Sequence, residues 1–444
     1  IKNIFCRVTG NNPSTLLGKL LVLGDANLFF INPNGIFFGE NASLDVKGSF
    51  VASTASNINF SDNNVFSANN PQVPPPLLTV DVPAPVGLEF EGEPGKITNR
   101  SLILDQDSQL LGLGVQPGKT LALVGGDVNI EGGFLKAEAG RIELGSVAGD
   151  NTVSLNSTDE GIVLDYAGIE NFRDINLSQA AFVYTSGDKG GDIQIRGRQI
   201  NLIEGSQVSS NSLGSGKVGD LTVKASELVK LDGGIQISSG FFGNVVGTGN
   251  GGTTLIETER LIVENGGNIS ASTFGEGKGG NLIVKASESV EVLGITPDGN
   301  SPSPSALFAD VYNTGDGGNL TIETPRLIVK DGAQIKASTF AQGNAGNLNI
   351  KASESIELDG FVLRNDRIFS SGLFAQVNRG SSGNAGNLTV ETAKLTVLNG
   401  AQISTTARNA SKGGELNINA TETVLVSGSS PNANISRGRS VIFV

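Results

Sequence analysis

Gly318-Asn-Leu-Thr-Ile-Glu-Thr-Pro-Arg-Leu-Ile-Val-Lys-Asp-Gly332-Ala-Gln-Ile-Lys-Ala-Ser338 is the stretch of the chain that decides its fold. It contains three short runs of alternating apolar and polar residues, rich in Leu, Ile, Val and Thr, with Gly, Asn and Asp at their boundaries. Period-two alternation with β-branched residues is typical of strands that bury one face. The stretch therefore predicts three consecutive β-strands.

The same pattern recurs eight times in the second half of the chain. A Gly-Asn-Leu-like step opens each copy, and a second glycine follows fourteen residues later. Successive copies begin 28, 33, 28, 38, 28, 40 and 28 residues apart. The glycine pairs are Gly191 and Gly205, Gly219 and Gly233, Gly252 and Gly266, Gly280 and Gly294, Gly318 and Gly332, Gly346 and Gly360, Gly386 and Gly400, and Gly414 and Gly428.

A repeat of this length indicates one supersecondary unit stacked on copies of itself. With three strands per coil, the repeat predicts an all-β fold, a right-handed parallel β-helix, in which the hand follows the usual hand of crossovers. We expect the paired glycines at corners where φ is positive or where a side chain would clash.

Charged residues alternate in sign at two positions of the repeat. The first set runs from Lys224 to Glu391, five residues after each leading glycine, and the second includes Glu288, Arg326 and Glu354, eight residues after it. Opposite charges on neighbouring strands are favourable and like charges are not. We therefore expect two ladders of paired charges, with Arg326 between the two glutamates.

Composition excludes several classes of protein. The chain has 31 basic and 44 acidic residues, a net charge of −13, which argues against nucleic acid or an anionic membrane surface as a partner. It has no apolar run long enough for a transmembrane segment. Cys6 is the single cysteine, so no internal disulfide forms, and we expect it to be a small buried residue. Because Met is absent, we expect a piece of a longer product.

The N-terminal segment contains the most distinctive local motif. Asn32, Pro33, Asn34, Gly35 and Ile36 lie between two apolar runs. Proline presets φ for the first corner of a turn, and Asn and Gly tolerate the left-handed region that follows. Taken alone, the motif predicts a tight turn between two strands.

Four motifs in order extend this observation: Asn3-Ile-Phe-Cys-Arg-Val-Thr-Gly10, Ala26-Asn-Leu-Phe-Phe-Ile31, Asn32-Pro-Asn-Gly-Ile36 and Gly48-Ser-Phe-Val-Ala-Ser-Thr54. Together they resemble the secretion domain of filamentous-haemagglutinin-like exoproteins, and the later repeats resemble those of long cyanobacterial members of that group. The resemblance implies two-partner secretion, with an outer-membrane β-barrel transporter as the partner during export and a secreted, extracellular or cell-surface location. It also implies that residues 32–36 are a secretion motif, and that the first part of the usual secretion domain is missing before Ile1.

These observations divide the chain into three segments. Residues 1–95 are predicted to be the C-terminal part of the secretion domain, residues 96–188 irregular β-helix coils, and residues 189–444 regular repeats that alternate between 28 and 33–40 residues. The range 66–95 holds seven of the 15 prolines. Because proline cannot donate into a central ladder, this range is predicted to be an excursion from the helix, with a short strand at 77–82.

Parallel β-helices also serve as polysaccharide lyases and hydrolases, so an enzyme is one alternative. That chemistry needs clustered carboxylates, or a base with a metal, whereas the acidic residues here are spread through the repeats and the chain has no histidine. Gly/Asp-rich turns at 187–192 and 315–318 lack the nine-residue spacing of calcium sites. We therefore predict a structural or adhesive exoprotein without catalytic residues, metal or cofactor. The other alternative is a subunit of an extracellular filament or sheath assembled end to end.

Two long repeats insert extra residues after their second glycine and then return to a shared Ser-x-Leu-Phe-Ala-x-Val sequence. Because the insertions occur in alternate coils, we expect them along one edge, where solenoids often bind ligands. Tolerated loops without a ligand are the alternative. The candidate partners are surface glycans, or further copies joined through coil ends. The candidate binding loops are marked by Ile295, Pro304, Leu307, Phe308, Phe361, Ser370, Leu373 and Phe374.

Overall fold

The computed structural model describes residues 2–70, 84–103, 112–158, 161–234, 237–297, 302–407, 411–428 and 439–443. Throughout these ranges the regular structure is β-strand, and none of them contains a helix that could span a membrane. The chain forms two compact units. The N-terminal unit comprises residues 1–185 and 191–200, and the C-terminal unit comprises residues 186–190 and 201–444.

The described strands of the N-terminal unit are short. They are β1 (Asn3–Arg7), β2 (Ser14–Leu16), β3 (Lys19–Leu21), β4 (Asn27–Ile31), β5 (Ile36–Phe38), β6 (Ser43–Asp45), β7 (Phe50–Ser53), β8 (Asn57–Phe60), β9 (Val65–Ser67), β10 (Pro85–Phe90), β11 (Ile97–Asn99), β12 (Leu113–Gly114), β13 (Thr120–Gly125), β14 (Val128–Glu131), β15 (Phe134–Lys136), β16 (Arg141–Ser146), β17 (Asn151–Thr158), β18 (Gly161–Asp165), β19 (Ile175–Ser178) and β20 (Phe182–Tyr184), and β21 (Asp192–Leu202) begins in this unit.

Strands of successive coils pair in parallel. One side of the coils is built from β1, β4, β7, β13, β16 and β21. The second side is built from β2, β5, β11, β14 and β19. The third side contains β3 with β6, and β12, β15 and β20. This arrangement confirms the predicted parallel β-helix with three strands per coil.

Segments that extend out of the coils of the N-terminal unit form an antiparallel sheet, here called the cap sheet. Its strand order is β18-β17-β10-β8-β9. Leu88 and Leu155 of the cap sheet share one buried cluster with Phe29 and Val51 of the coils. The described part of the Pro-rich range contributes β10 and the end of β9 to this sheet. Residues 71–83, with the short strand predicted at 77–82, lie outside the described residues.

The C-terminal unit alternates long and short strands. They are β22 (Gln207–Ser209), β23 (Leu221–Asp232), β24 (Gly240–Phe242), β25 (Thr253–Glu264), β26 (Asn268–Ser270), β27 (Asn281–Leu293), β28 (Ala306–Phe308), β29 (Leu320–Lys330), β30 (Gln334–Lys336), β31 (Leu348–Asp359), β32 (Phe361–Arg364), β33 (Arg367–Ser370), β34 (Gly372–Phe374), β35 (Leu388–Leu398), β36 (Gln402–Ser404), β37 (Leu416–Ser427) and β38 (Val441–Phe443). Each long strand pairs in parallel with the long strand of the next coil, and each short strand with the next short strand.

Two of the three predicted runs are joined in one strand. Strand β29 spans both runs, and the pairing register shifts between Thr324 and Arg326 inside it. Before the shift Ile322 is fully buried, and after it Val329 is fully buried. The two halves of each long strand are therefore two sides of a coil, and the third run forms the separate strand β30.

The first predicted charge ladder is confirmed by the strand register. Glu323 lies directly opposite Lys285 on one side and Lys351 on the other. At the start of the ladder, Lys224 Nζ lies 2.7 Å from Glu257 Oε2. These pairs lie on the partly exposed face of the long strands, where opposite charges add a few tenths of a kcal/mol each.

The second predicted ladder is wrong by one residue. Arg326 lies opposite Ser289 and Ser355, not opposite the glutamates that precede those serines. Strands β27 and β31 carry one more residue at the register shift than their neighbours, which is a β-bulge. Arg326 still reaches Glu354 across the bulge, where Nη1 and Oε2 are 3.9 Å apart.

The confirmed ladder makes a prediction about stability. Glu323→Lys would place three lysines on adjacent strands, and we expect the free energy of unfolding to fall by about 1 kcal/mol at low salt. Arg326→Glu is the matched control: it lies opposite serines and, among the described residues, approaches only one like charge, Glu354 across the bulge, so it should cost less. Urea denaturation at low and high ionic strength measures both, and equal losses for the two variants would contradict the register.

The paired glycines occupy the two kinds of position that were predicted: corners with positive φ, and places where a side chain would clash. Among the second glycines, all but Gly233 have a positive φ. The leading glycines stack on one another instead. A Cβ added at Gly346 would overlap the carbonyl oxygen of Gly318, and one at Gly386 would overlap that of Gly346. A side chain at this position would therefore push neighbouring coils apart.

Candidate functional site

The turn at 32–36 connects β4 to β5 and is held by the side chain of Asn32, which is fully buried. Its Oδ1 accepts a hydrogen bond from the backbone N–H of Asn34 at 3.0 Å. Its Nδ2 donates to Ser14 Oγ at 2.8 Å and to the carbonyl oxygen of Asn12 at 3.1 Å. This asparagine therefore satisfies polar groups that the turn would otherwise leave unpaired.

Other residues of the motif join the turn to the segment that follows the cap-sheet strand β10. The carbonyl oxygen of Pro33 accepts from Gly95 N at 2.8 Å, and Ile36 N donates to the carbonyl oxygen of Lys96 at 3.0 Å. Gly35 has a φ of 121°, which a side chain would strain. The predicted tight turn is confirmed, and it is also a junction of three chain segments.

Glu143 is a fully buried carboxylate in the N-terminal unit. Its Oε1 lies 2.5 Å from Arg141 Nε, and its Oε2 accepts from Gln194 Nε2 at 3.0 Å. Gln194 Nε2 also donates to the carbonyl oxygen of Leu164 in the cap sheet, at 2.8 Å. Burial raises the pKa of Glu143 to about 7, although Arg141 acts in the opposite direction. Because the Glu143 side chain is fully buried, it links the coils to the cap sheet through Gln194 and is not accessible to a substrate.

Cys6 is exposed, which corrects the expectation that it is buried. It lies on β1, which pairs with β4. Its neighbours along the strand, Phe5 and Arg7, are half-buried, so the alternation of side chains along the strand directs the Cys6 thiol outward.

The second insertion, at 361–370, is an antiparallel hairpin made of β32 and β33. Its two-residue turn is Asn365-Asp366, both with positive φ, as a tight hairpin turn requires. At the base of the hairpin, Ser371 N donates to the carbonyl oxygen of Gly360 at 3.1 Å. The insertion is therefore closed at its base by the coil itself.

The first insertion has a similar base, a bridge between Ile295 and Pro304. Residues 298–301 of this insertion lie outside the described residues. Arg364 Nη1 of the hairpin donates to the carbonyl oxygen of Pro297 at 2.6 Å. The two insertions are therefore neighbours on one surface, as their occurrence in alternate coils predicted.

A groove of about 420 Å³, here called the insertion groove, lies between these loops and the coils. It is lined by Pro302 and Pro304 of the first insertion, by Arg367, Ile368 and Phe369 of the hairpin, and by Gln334, Lys336, Ser338, Phe340, Phe374, Gln376 and Asn378 of the coils.

The positive charge of Lys336 in this groove is neutralised by a buried aspartate. Its Nζ lies 3.4 Å from Oδ2 of Asp310, which is fully buried. The other oxygen of that carboxylate, Oδ1, accepts from the backbone N–H of Ser338 at 2.8 Å. No aspartate or glutamate is among the described residues that line the groove itself. Its described surface therefore offers rings, amides and cations.

The predicted loop residues have different positions. Leu307 and Leu373 are fully buried, so the expectation that they touch a ligand needs correction: alternation along β28 and β34 turns them into the core. Pro304 and Phe374 line the groove. Phe308 lies next to it, with its ring centroid 5.5 Å from Lys336 Nζ.

The remaining three residues act at the bases of the loops. Ile295 is 7 % exposed and closes the first insertion. Phe361 pairs with Ser370 where the hairpin begins and ends. The carbonyl oxygen of Ser370 accepts from Gln334 Nε2 at 3.3 Å, which ties the hairpin to the coil beneath.

Sequence reasoning identified Phe374 but missed the other coil residues of the groove. Lys336, Phe340, Gln376 and Asn378 come from two different coils and occupy ordinary repeat positions. One signal was present, because Phe340 aligns in the repeat with Tyr312, another exposed aromatic residue. Across the described ranges, no group of three or more His, Cys, Asp or Glu side chains could hold a metal ion.

The family model of the TPS secretion domain matches residues 1–195. The N-terminal part of the chain is a TPS secretion domain. This match supports a two-partner-secreted exoprotein, as the four N-terminal motifs implied. The match is wider than the predicted secretion segment 1–95 and includes the coils at 96–188. The TPS domain implies export, with an outer-membrane transporter as the partner.

The comparisons with solved structures and with curated proteins add little to this match. The crystal structure of the HMW1 secretion domain from Haemophilus influenzae superimposes with a TM-score of 0.46 and 17 % sequence identity, covering 80 % of this chain and 83 % of that one. A search of curated proteins found no match.

Within the TPS domain, the hydrogen bonds of Asn32 predict that its replacement by alanine destabilises the turn. Asn32→Ala removes the partners of Ser14 and of the Asn34 backbone in a buried site, so we expect a loss of about 2 kcal/mol. Asn34→Ala, at an exposed position of the same turn, is the matched control and should cost less than 1 kcal/mol. Hydrogen exchange of residues 27–38 measures both losses. Equal protection in the two variants would show that Asn32 does not hold the turn.

Proposed function

We propose that this exoprotein is an adhesive, non-catalytic β-helix that acts in the extracellular space or at the cell surface. The observation that carries the proposal is the insertion groove, which combines two loops from alternate coils with aromatic, amide and cationic side chains. Its contacts are proposed to be with surface glycans. The export step supports this location, because an exported repeat protein meets polysaccharide and cell surfaces first.

The positions of the carboxylates support binding over cleavage. Glycoside hydrolysis uses two carboxylates that face the substrate from either side of the scissile bond. The described lining of the groove contains none, and the adjacent Asp310 is fully buried and paired with Lys336. The chain also has no histidine that could act as a general base near neutral pH. We therefore assign no catalytic role to this surface.

End-to-end assembly is a second candidate function. Val424 and Val426 on β37, the last long strand of the described residues, are 53 % and 41 % exposed, although their partners on β35, Leu395 and Val397, are fully buried. An exposed strand with apolar side chains can template pairing with another chain. Light scattering over a range of concentrations tests it: a mass that rises with concentration supports assembly, and a constant monomer mass contradicts it.

Incubation with immobilised polysaccharides tests the adhesive proposal. The expected result is saturable retention on beads carrying a neutral hexose polymer or a uronic acid polymer, with no new reducing ends and no unsaturated products. Product formation that disappears when one carboxylate is substituted would establish the enzyme instead. Absence of retention on both polymers and on bacterial or host cell surfaces would contradict adhesion.

A further inference from the structure

Three aromatic side chains form a stack on the outer surface of the C-terminal unit. The rings of Phe274 and Tyr312 lie 4.6 Å apart at an angle of 3°, and those of Tyr312 and Phe340 lie 5.1 Å apart at an angle of 5°. All three are exposed, by 44 %, 37 % and 40 % in chain order. Each ring follows a bridge residue of its coil, so the spacing of the stack is set by the spacing of the coils.

The stack ends at Phe340 because the next coil has asparagine at the same position. The bridge residues Thr339 and Val377 pair with each other, and the residues that follow them are Phe340 and Asn378. The Asn378 side chain folds back, with Nδ2 donating to the carbonyl oxygen of Thr339 at 3.3 Å. Among the described residues, no further ring stacks on Phe340, and both Phe340 and Asn378 line the insertion groove. Phe340 is 40 % exposed, so the part of its ring that the stack does not cover faces the groove.

Polar groups surround this ring face. Lys336 Nζ lies 5.9 Å from the Phe340 centroid, and the side chain of Gln376 lines the same groove. Arg367 lines it from the hairpin. An aromatic face with donors and acceptors at its rim suits a ligand that has a flat apolar face and a polar edge.

We propose that the open face of Phe340 is a stacking platform for one pyranose ring of a glycan chain. A pyranose offers C–H groups on its face and hydroxyl groups at its edge, which match the ring and the amide and cationic groups around it. A nucleobase could also stack, but the net charge of −13 opposes nucleic acid. An apolar protein side chain would offer no hydrogen-bond partner to the side chains of Gln376 and Arg367, which also line the groove. The proposal rests on the adhesive function above and names the part of the glycan that is recognised.

Paired substitutions test the platform with the two polysaccharide beads. Phe340→Ala should weaken retention about fivefold, because a stacking contact is worth about 1 kcal/mol. Phe274→Ala is the matched control: it removes the ring at the other end of the same stack and leaves the groove intact, so retention should be unchanged. Equal retention of wild type and Phe340→Ala on a polymer that the wild type binds would overturn the platform.

Asn378→Phe tests the same idea in the opposite direction. A fourth ring would cover the open face, so we expect a higher unfolding temperature together with loss of retention. Wild-type retention in a folded Asn378→Phe variant would contradict the proposal. If Phe340→Ala failed to fold, Asn378→Phe would still test the proposal, because it extends the stack and is expected to stabilise the fold.

A fluorescence measurement separates this proposal from the adhesive function. The chain has no tryptophan, so Phe340→Trp introduces a single reporter. Addition of soluble neutral or uronic acid oligosaccharides should shift its emission to shorter wavelength in proportion to retention. Retention on beads with no shift and no effect of Phe340→Ala would overturn the platform and leave adhesion standing. Absence of both retention and shift would contradict both proposals.

Discussion

Replacing Gly346 with alanine should destabilise the C-terminal unit by about 3 kcal/mol or more. The added Cβ would overlap the carbonyl oxygen of Gly318 and lie 2.6 Å from its carbonyl carbon. Backbone atoms cannot rotate away as a side chain can, so two paired coils would have to separate. Because each coil of a solenoid contacts its neighbours, the loss should appear as faster hydrogen exchange in β29 and β31.

Gly413→Ala is the matched control for this substitution. The nearest atom to a Cβ at Gly413 is 3.6 Å away, which is an ordinary contact, and its φ is not positive. We expect a change within about 0.5 kcal/mol. If Gly346→Ala were tolerated as well as Gly413→Ala in urea denaturation, the stacking of leading glycines on one another would be wrong.

The second large effect is a dependence of stability on pH that originates at Glu143. Its pKa is about 7 in the folded protein, against about 4.3 in an unfolded chain. The folded state therefore holds the proton more tightly, so stability is greatest below about pH 4.3 and declines as pH rises towards 7. The decline attributable to this group is about 4 kcal/mol, and it levels off above pH 7.

Glu143→Gln should remove this decline, because the amide has no proton to lose and can still accept from Gln194. Glu131→Gln provides the control, since Glu131 bonds Arg100 on the surface of the same unit. Hydrogen exchange of residues 161–166 in the cap sheet, measured from pH 5 to pH 8 and corrected for intrinsic rates, gives the local stability. A slope in Glu143→Gln equal to that of the wild type would show that another group is responsible.

The sequence predicted the features that depend on short-range chemistry. Alternating β-branched runs and paired glycines predicted the coils, and the Asn32 motif predicted a tight turn. The register of Glu323 between Lys285 and Lys351 also followed from counting residues. These predictions held because the inward and outward alternation of a strand is fixed by its backbone geometry.

The features that were wrong or missed depend on how each strand aligns with the strands and sheets packed next to it. The second charge ladder failed at Arg326 because a bulge adds one residue in alternate strands, which counting from the leading glycine does not reveal. Cys6 was expected to be buried on composition alone, but its strand turns it outward. The open face of Phe340 could not be found before the position of Asn378 in the next coil was known. Burial of Glu143 likewise depends on the cap sheet, which is formed by separate excursions.

The central claim is that the insertion groove binds surfaces without cleaving them. Deleting residues 361–370 tests it with little risk to the fold, because Gly360 would then be followed by Ser371 and Gly372. The neighbouring coil has the same spacing between Gly332 and Gln334, and Gln334 pairs with Gly372. Leu363→Ser is the matched control, since it changes an exposed hairpin residue that does not line the groove.

The decisive measurement is retention of the wild type, the deletion variant and Leu363→Ser on polysaccharide beads and cell surfaces, with circular dichroism to monitor the fold. We predict that the deletion lowers affinity about tenfold or more, that Leu363→Ser does not, and that none of the three proteins releases product. Equal retention with and without the hairpin in folded proteins, or steady release of sugar products by the wild type, would contradict the account.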